Sequence, residues 1–215
     1  MKRLLVVFPL VVLSLAISWW VVAAPPSSDT KSTDEIKKIV DNAIARKTPR
    51  VELVTSLGII KLELDAVKAP ITVRNFLTYV VKGHYNGTVF HRIISDFMIQ
   101  GGGYTADRKE KTETLMDPIK NEATNRLSNV RGTIAMARTQ VVDSARAQFF
   151  INVIDNTRLD YKGPGPRYGY CVFGKVIAGM DVVDKIKNVP TQNLGGAFMN
   201  WPTNPPVIHS ARIID

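Results

Sequence analysis

Beyond Pro49 the chain is built of short apolar runs with polar residues set between them. Val51 to Thr55 and Ile59 to Leu64 flank Ser56-Leu57-Gly58, and Lys61 and Glu63 alternate outward, so the spacing predicts a hairpin. Six further runs carry strand character: Val89 to Ile94, Phe97 to Gln100, Gly132 to Met136, Phe149 to Val153, Tyr170 to Val176 and Pro206 to Ile214. Helical spacing appears at Val73, Phe76, Leu77 and Val80, which predicts a helix over Ile71 to Val81 with Pro70 at its start and Gly83 at its end. A second helix is expected over Asp181 to Ile186, with Val182, Val183 and Ile186 inward. Eight strands with two clear helices predict a mainly β fold, a closed antiparallel barrel whose ends the helices cover.

The N-terminal quarter has a different pattern. Lys2 and Arg3 precede an uncharged run from Leu4 to Ala24, which is expected to be an export signal. That run is also long enough to span a bilayer, with Trp19-Trp20 suited to an interface, so a signal anchor is the alternative. Cleavage is favoured because Pro9, Ser14 and Ser18 weaken a span and Val21 to Ala24 are small. The exported, periplasmic side is the expected location, with anchorage to the inner membrane as its variant. Residues 25–48 form a linker with a short amphipathic helix: Ser32-Thr33-Asp34-Glu35 offers a capping box, followed by Ile36, Ile39, Val40, Ala43 and Ile44. A packing or spacer role is the expectation for this helix, ahead of a partner- or membrane-binding one.

The formal charge is +9, or +7 once Lys2 and Arg3 are removed. Such an excess attracts anionic partners, yet the basic residues are scattered and lack aromatic interleaving, so nucleic-acid binding is not expected. Cys171 is the only cysteine, which leaves no intrachain disulfide, and its apolar neighbours predict a buried thiol.

The stretch Phe90 to Gly103, F-H-R-I-I-S-D-F-M-I-Q-G-G-G, carries the candidate chemistry. Two strands meet at Ser95-Asp96, and alternation sets Arg92 on the face of Phe90 and Ile94, and Gln100 on the face of Met98. A guanidinium among large apolar groups is costly unless paired or used. Its stem can pack while its head reaches water or a carboxylate such as Asp96 or Glu122, or it can serve a pocket.

Three more runs follow: R-G-T-I-A-M-A at Arg131 to Ala137, Q-F-F-I-N-V at Gln148 to Val153 and V-F-G-K-V at Val172 to Val176. Together with the first they resemble the cyclophilin family of peptidyl-prolyl cis/trans isomerases, in family order from Pro49 to Ile214. Gly101-Gly102-Gly103 and Tyr168-Gly169-Tyr170 are most similar to bacterial exported members. The resemblance implies an eight-stranded antiparallel barrel capped by two helices, and it supplies the closure and strand order. By position Arg92 resembles the catalytic arginine. Phe97, Met98, Phe150 and Leu159 match the pocket for proline, and Gln100 the glutamine that bonds the substrate backbone and steadies the arginine. Ala137 and Arg138 fall where backbone groups align the peptide as an added strand, and Gln148 belongs to the same wall.

Two positions depart from the common pattern. Arg158 precedes Leu159-Asp160 where many eukaryotic members have tryptophan, and Tyr170 stands where they have histidine. Tyr170 can still pack and donate a hydrogen bond, whereas losing the indole implies weak cyclosporin sensitivity. The resemblance implies no cofactor and no metal, proline-containing polypeptides as substrates and a monomer. It also implies a foldase for exported proteins, with a proline-peptide binding module or holdase as the alternative.

Other chemistries find little support. His84, His91 and His209 lack partners at zinc-ligand spacing, and Ser144 lacks a nucleophile elbow. Gly101 to Gly103 opens no helix and precedes no Lys-Ser/Thr pair, so it is expected to give backbone flexibility beside the site. Asn86-Gly87-Thr88 fits a sequon but is first a turn.

Overall fold

Strand alternation sorts the side chains of one long sheet onto two faces, and both faces are apolar. The computed structural model describes residues 31–214, so the expected signal at 1–24 and the start of the proline-serine segment lie outside the described residues. Helix α1 spans Thr33–Ile44, followed by strands β1 (Arg50–Thr55) and β2 (Gly58–Leu64), then α2 (Pro70–Val81). Strands β3 (Thr88–Ile94), β4 (Met98–Thr105), β5 (Thr133–Met136), β6 (Phe149–Asn152) and β7 (Val172–Ala178) follow. After α3 (Met180–Lys187) come a two-residue pair, β8 (Thr191–Gln192) and β9 (Trp201–Pro202), and finally β10 (Ile208–Ile214).

The large sheet is antiparallel in the order β10-β1-β2-β7-β5-β6-β4-β3. It curls into a half-barrel, and the expected closed barrel is not formed. Between β3 and the β10 side the ladder shrinks to one bridge, Val89 to Val207, with Phe90 N donating to Pro206 O at 2.9 Å. Pro205 and Pro206 have no N–H to offer, so a continuous ladder cannot form through them. Chain from Asn200 onward lies along this edge instead, and Ile93 N donates to Asn200 O.

The inner face holds the main core, in which Phe76 meets Tyr85, Phe149 and Phe173 at ring-centroid distances of 5.0–5.7 Å. Helix α2 contributes Val73, Phe76, Leu77 and Val80 to it, and α3 contributes Val182, Val183 and Ile186, at the spacings the sequence shows. The N-terminus of α2 is capped from afar: Glu122 accepts from Ile71 N, Thr72 N and Thr72 Oγ1. A third helix joins these two. Ser32 caps α1 by accepting from Glu35 N at 3.2 Å, Val40 and Ala43 are buried in the main core, and Asp41 pairs with Arg74 of α2. Arg74, and after it Lys37, hold the Asp41 carboxyl below its usual range.

Candidate active site

Outer-face residues form a second apolar cluster, separate from the core. It gathers Met98, Ala135, Phe150 and Val172, with Ile94, Phe97, Leu127, Ala137, Leu159 and Tyr170 packed against them. Their sequence neighbours Ile99, Ile134, Phe149, Ile151 and Phe173 point into the core, as period-two alternation requires. Cross-strand pairing sets these residues in one row: Arg92 opposite Gln100, Gln100 opposite Phe150, Phe150 opposite Ala135 and Ala135 opposite Val172.

Arg92 belongs to this outer row, but Phe90 does not. Phe90 pairs with Gly101 and lies in the core, and the register shifts between Phe90 and Arg92. The extra residue is His91, and a bulge of this kind reverses the side on which the following residues fall. The bulge thus aims Arg92 at the apolar cluster, whereas simple alternation puts Phe90 on its face.

Neither carboxylate suggested by the sequence meets Arg92. Asp96 is exposed in the β3–β4 turn, and Glu122 is engaged at the start of α2. Among the described residues no hydrogen bond or ion pair holds the half-buried guanidinium. Burial lowers its pKa and the neighbouring Tyr170 opposes the shift, but an arginine keeps its proton regardless. Its donors are left for something that enters the pocket.

Behind Arg92 runs a line of amides. Gln100 Nε2 donates to Gln148 Oε1 at 2.9 Å. Gly103 makes this possible, because a Cβ there would fall 2.6 Å from the Gln148 side chain. The three glycines are therefore not a flexible loop. They lie buried within β4, and Gly103 is a flat spot over which Gln148 reaches Gln100. Sequence reading missed this role, although glycine inside a strand is a signal for close approach. His91 is also buried here; its Nδ1 has no partner among the described residues, and burial pushes its pKa down to about 4.

The rim is set by a second group that the sequence did not single out. Asn156 Nδ2 donates to Phe97 O at 2.7 Å, and Asp160 accepts from Ser128 Oγ, Asn129 N and Asn129 Nδ2. Burial pushes the Asp160 carboxyl up, but these bonds more than offset it and hold it below its ordinary value. Leu159 is fixed between them, with its N bonded to Asn156 O and its O accepting from Tyr170 N. Two guanidiniums lie over aromatic faces at the rim, Arg158 over Phe97 and Arg138 over Tyr170, each 4.7 Å from the ring centroid. Tyr170 in turn meets Phe150 edge-on at 5.7 Å. All ten residues expected at the site thus fall on this outer face or its border. A cavity of about 330 Å³ adjoins it, lined by Gln100, Gly103, Ala137, Arg138 and Gln148 among others.

This arrangement can grip a small apolar ring and offer it a fixed cation. Among the described residues no cluster of His, Cys, Asp or Glu is placed to hold a metal ion. Cys171 is buried, its thiol pushed up to about 12 by burial, and it is poorly suited to act as a nucleophile.

Comparison with known proteins gives the same direction. Residues 50–213 match the family described as cyclophilin type peptidyl-prolyl cis-trans isomerase/CLD. Peptidyl-prolyl cis-trans isomerase A of Dickeya dadantii is 54% identical over 79% of this chain and 87% of its own length. Peptidyl-prolyl cis-trans isomerase B of Escherichia coli is 51% identical over 74% and 96%. A crystal structure of a Cryptosporidium parvum cyclophilin type isomerase in the presence of the dipeptide Ala-Pro superposes with a TM-score of 0.63, at 25% identity, over 77% of this chain and 99% of that one. With three-quarters of its length matched and relatives more than half identical, this chain belongs to the cyclophilin-type peptidyl-prolyl cis-trans isomerase family.

Proposed function

We propose that this isomerase turns X-Pro bonds in exported proteins by seating the proline ring on Phe97, Met98, Phe150 and Leu159 and presenting Arg92 to the twisting bond. The bare barrier is about 18–20 kcal/mol and comes from amide conjugation, so no covalent intermediate is needed. As the bond twists, the imide nitrogen becomes pyramidal and its lone pair becomes an acceptor. A guanidinium already fixed in place stabilises that state more than either planar one. The observation that carries this is the half-buried Arg92, unpaired among the described residues and aimed by the His91 bulge at the outer apolar cluster.

Gln100, held by Gln148, donates to the substrate backbone and keeps the row ordered. Added-strand pairing falls to Arg138 rather than to Ala137, whose N–H is already given to Gln148 O at 3.0 Å. In a strand the N–H and C=O of one residue point the same way, so the backbone of Arg138 faces the opposite side. Tyr170 closes the pocket beside Phe150.

The uncharged run Leu4 to Ala24 after Lys2-Arg3 supports export and a periplasmic foldase role. Exchange spectroscopy on an Ala-Pro peptide tests the enzyme, which is expected to broaden or exchange the cis and trans signals at substoichiometric concentration. Unchanged spectra with folded protein contradict it and favour a holdase. Fractionation of expressing cells tests the location, with a mature N-terminus near Ala24 expected in the periplasm.

A further inference from the structure

The pocket described above is ringed by positive charge. Arg158 is exposed and lies over the Phe97 ring, at the end of the pocket opposite the Gln100–Gln148 pair. Among the described residues it forms no ion pair: Asp155 accepts from Arg131 N, Asp160 is taken up by Ser128 and Asn129, and Asp96 makes no bond to it. Arg138 answers it from the other border, over Tyr170, and spends its donors on the carbonyls of Gly169 and Thr139. Its charge is therefore uncompensated as well. With Arg92 this makes three guanidiniums around one apolar pocket and no carboxylate paired with any of them.

A guanidinium held over an aromatic ring is pre-organised to bind a carboxylate with less further ordering than a free side chain. We propose that Arg158 makes this enzyme select prolines with an acidic side chain next to them, an aspartate or glutamate whose carboxylate meets the Arg158 head as the ring enters the pocket. This inference rests on the reading of the outer cluster as the proline site. An uncharged neighbour gains nothing from Arg158 except packing, and a basic neighbour is repelled by it.

The test measures kcat/KM on short peptides with glutamate either directly before or directly after the proline, beside glutamine counterparts and a plain Ala-Pro peptide. The expected result is a glutamate-over-glutamine ratio of about three- to five-fold in at least one position, the size an exposed ion pair sustains. It shrinks toward one in 0.5 M NaCl, where the Debye length is short. Arg158→Gln is expected to bring the ratio to about one, and Arg158→Lys to keep part of it. Because the ratio is internal to each variant, a change in overall rate does not disturb it. Equal rates on both peptides in the wild type, or a ratio retained in Arg158→Gln, overturns the inference. Loss of turnover on the plain Ala-Pro peptide in the wild type instead overturns the site itself, and the selectivity with it.

Discussion

Arg92 and His91 are neighbours on one strand whose environments ask opposite things of them. The bulge turns Arg92 outward to a half-open pocket, where its charge persists, and leaves His91 buried with only 2% of its surface exposed. An unfolded chain protonates that imidazole near its usual 6.5, but the folded chain does so only near 4. Folding stability from this residue is thus complete above about pH 6.5 and is lost as the pH falls toward 4, by about 3 kcal/mol. His84, also lowered by burial, acts in the same direction. Urea unfolding at pH 7 and pH 4.5 is expected to show a drop that His91→Gln reduces; an equal drop in the variant rules out this assignment. Arg92 and Gln100 stood out because strand period and turn chemistry are local, whereas the pocket roles of Phe97 and Met98 came only from the family resemblance. The partner of Gln100 was not legible, since Gln148 lies 48 residues away and meets it only through the sheet.

At the scale of elements, β4 and the helices hold the informative departures from expectation. The sequence places the end of this strand at Gln100, but it continues through Gly101 to Thr105 because glycine leaves room for Tyr85, Phe149 and Gln148 above it. Gly103→Ala is expected to push Gln148 off Gln100 and lower kcat/KM about ten-fold with the fold retained; unchanged turnover counts against the amide line. Helix α1 shows the converse. Its capping box and apolar spacing were plain in the sequence, but its destination on α2 and the core was not, because amphipathicity does not say what covers the apolar side. Val40→Ala should cost about 1–3 kcal/mol in chemical denaturation, as loss of buried methyls from the core does. A shift below about 0.3 kcal/mol means that α1 contributes nothing to folding. The long-range cap by Glu122 escaped sequence reading for the same reason as Gln148: 50 residues separate it from Thr72.

Over the whole molecule, one curled sheet serves two purposes. Its inner face makes a core closed by three helices, and its outer face gathers a second apolar cluster that leaves an arginine unpaired among the described residues. Eight strands and most of the outer row follow from alternation, but Arg92 joins that row through the His91 bulge, and the open edge between β3 and β10 follows from Pro205-Pro206, whose effect on the ladder depends on which strand they come to lie beside. Arg92 is expected to stabilise the twisted bond more than it holds the peptide. The most direct measurement records affinity and cis/trans exchange of an Ala-Pro peptide together, for wild type and Arg92→Ala. The prediction is an exchange rate reduced about 10²- to 10³-fold, as for loss of one fixed transition-state donor, with affinity changed less than about ten-fold. Equal losses in both, or exchange that survives the substitution, would contradict it.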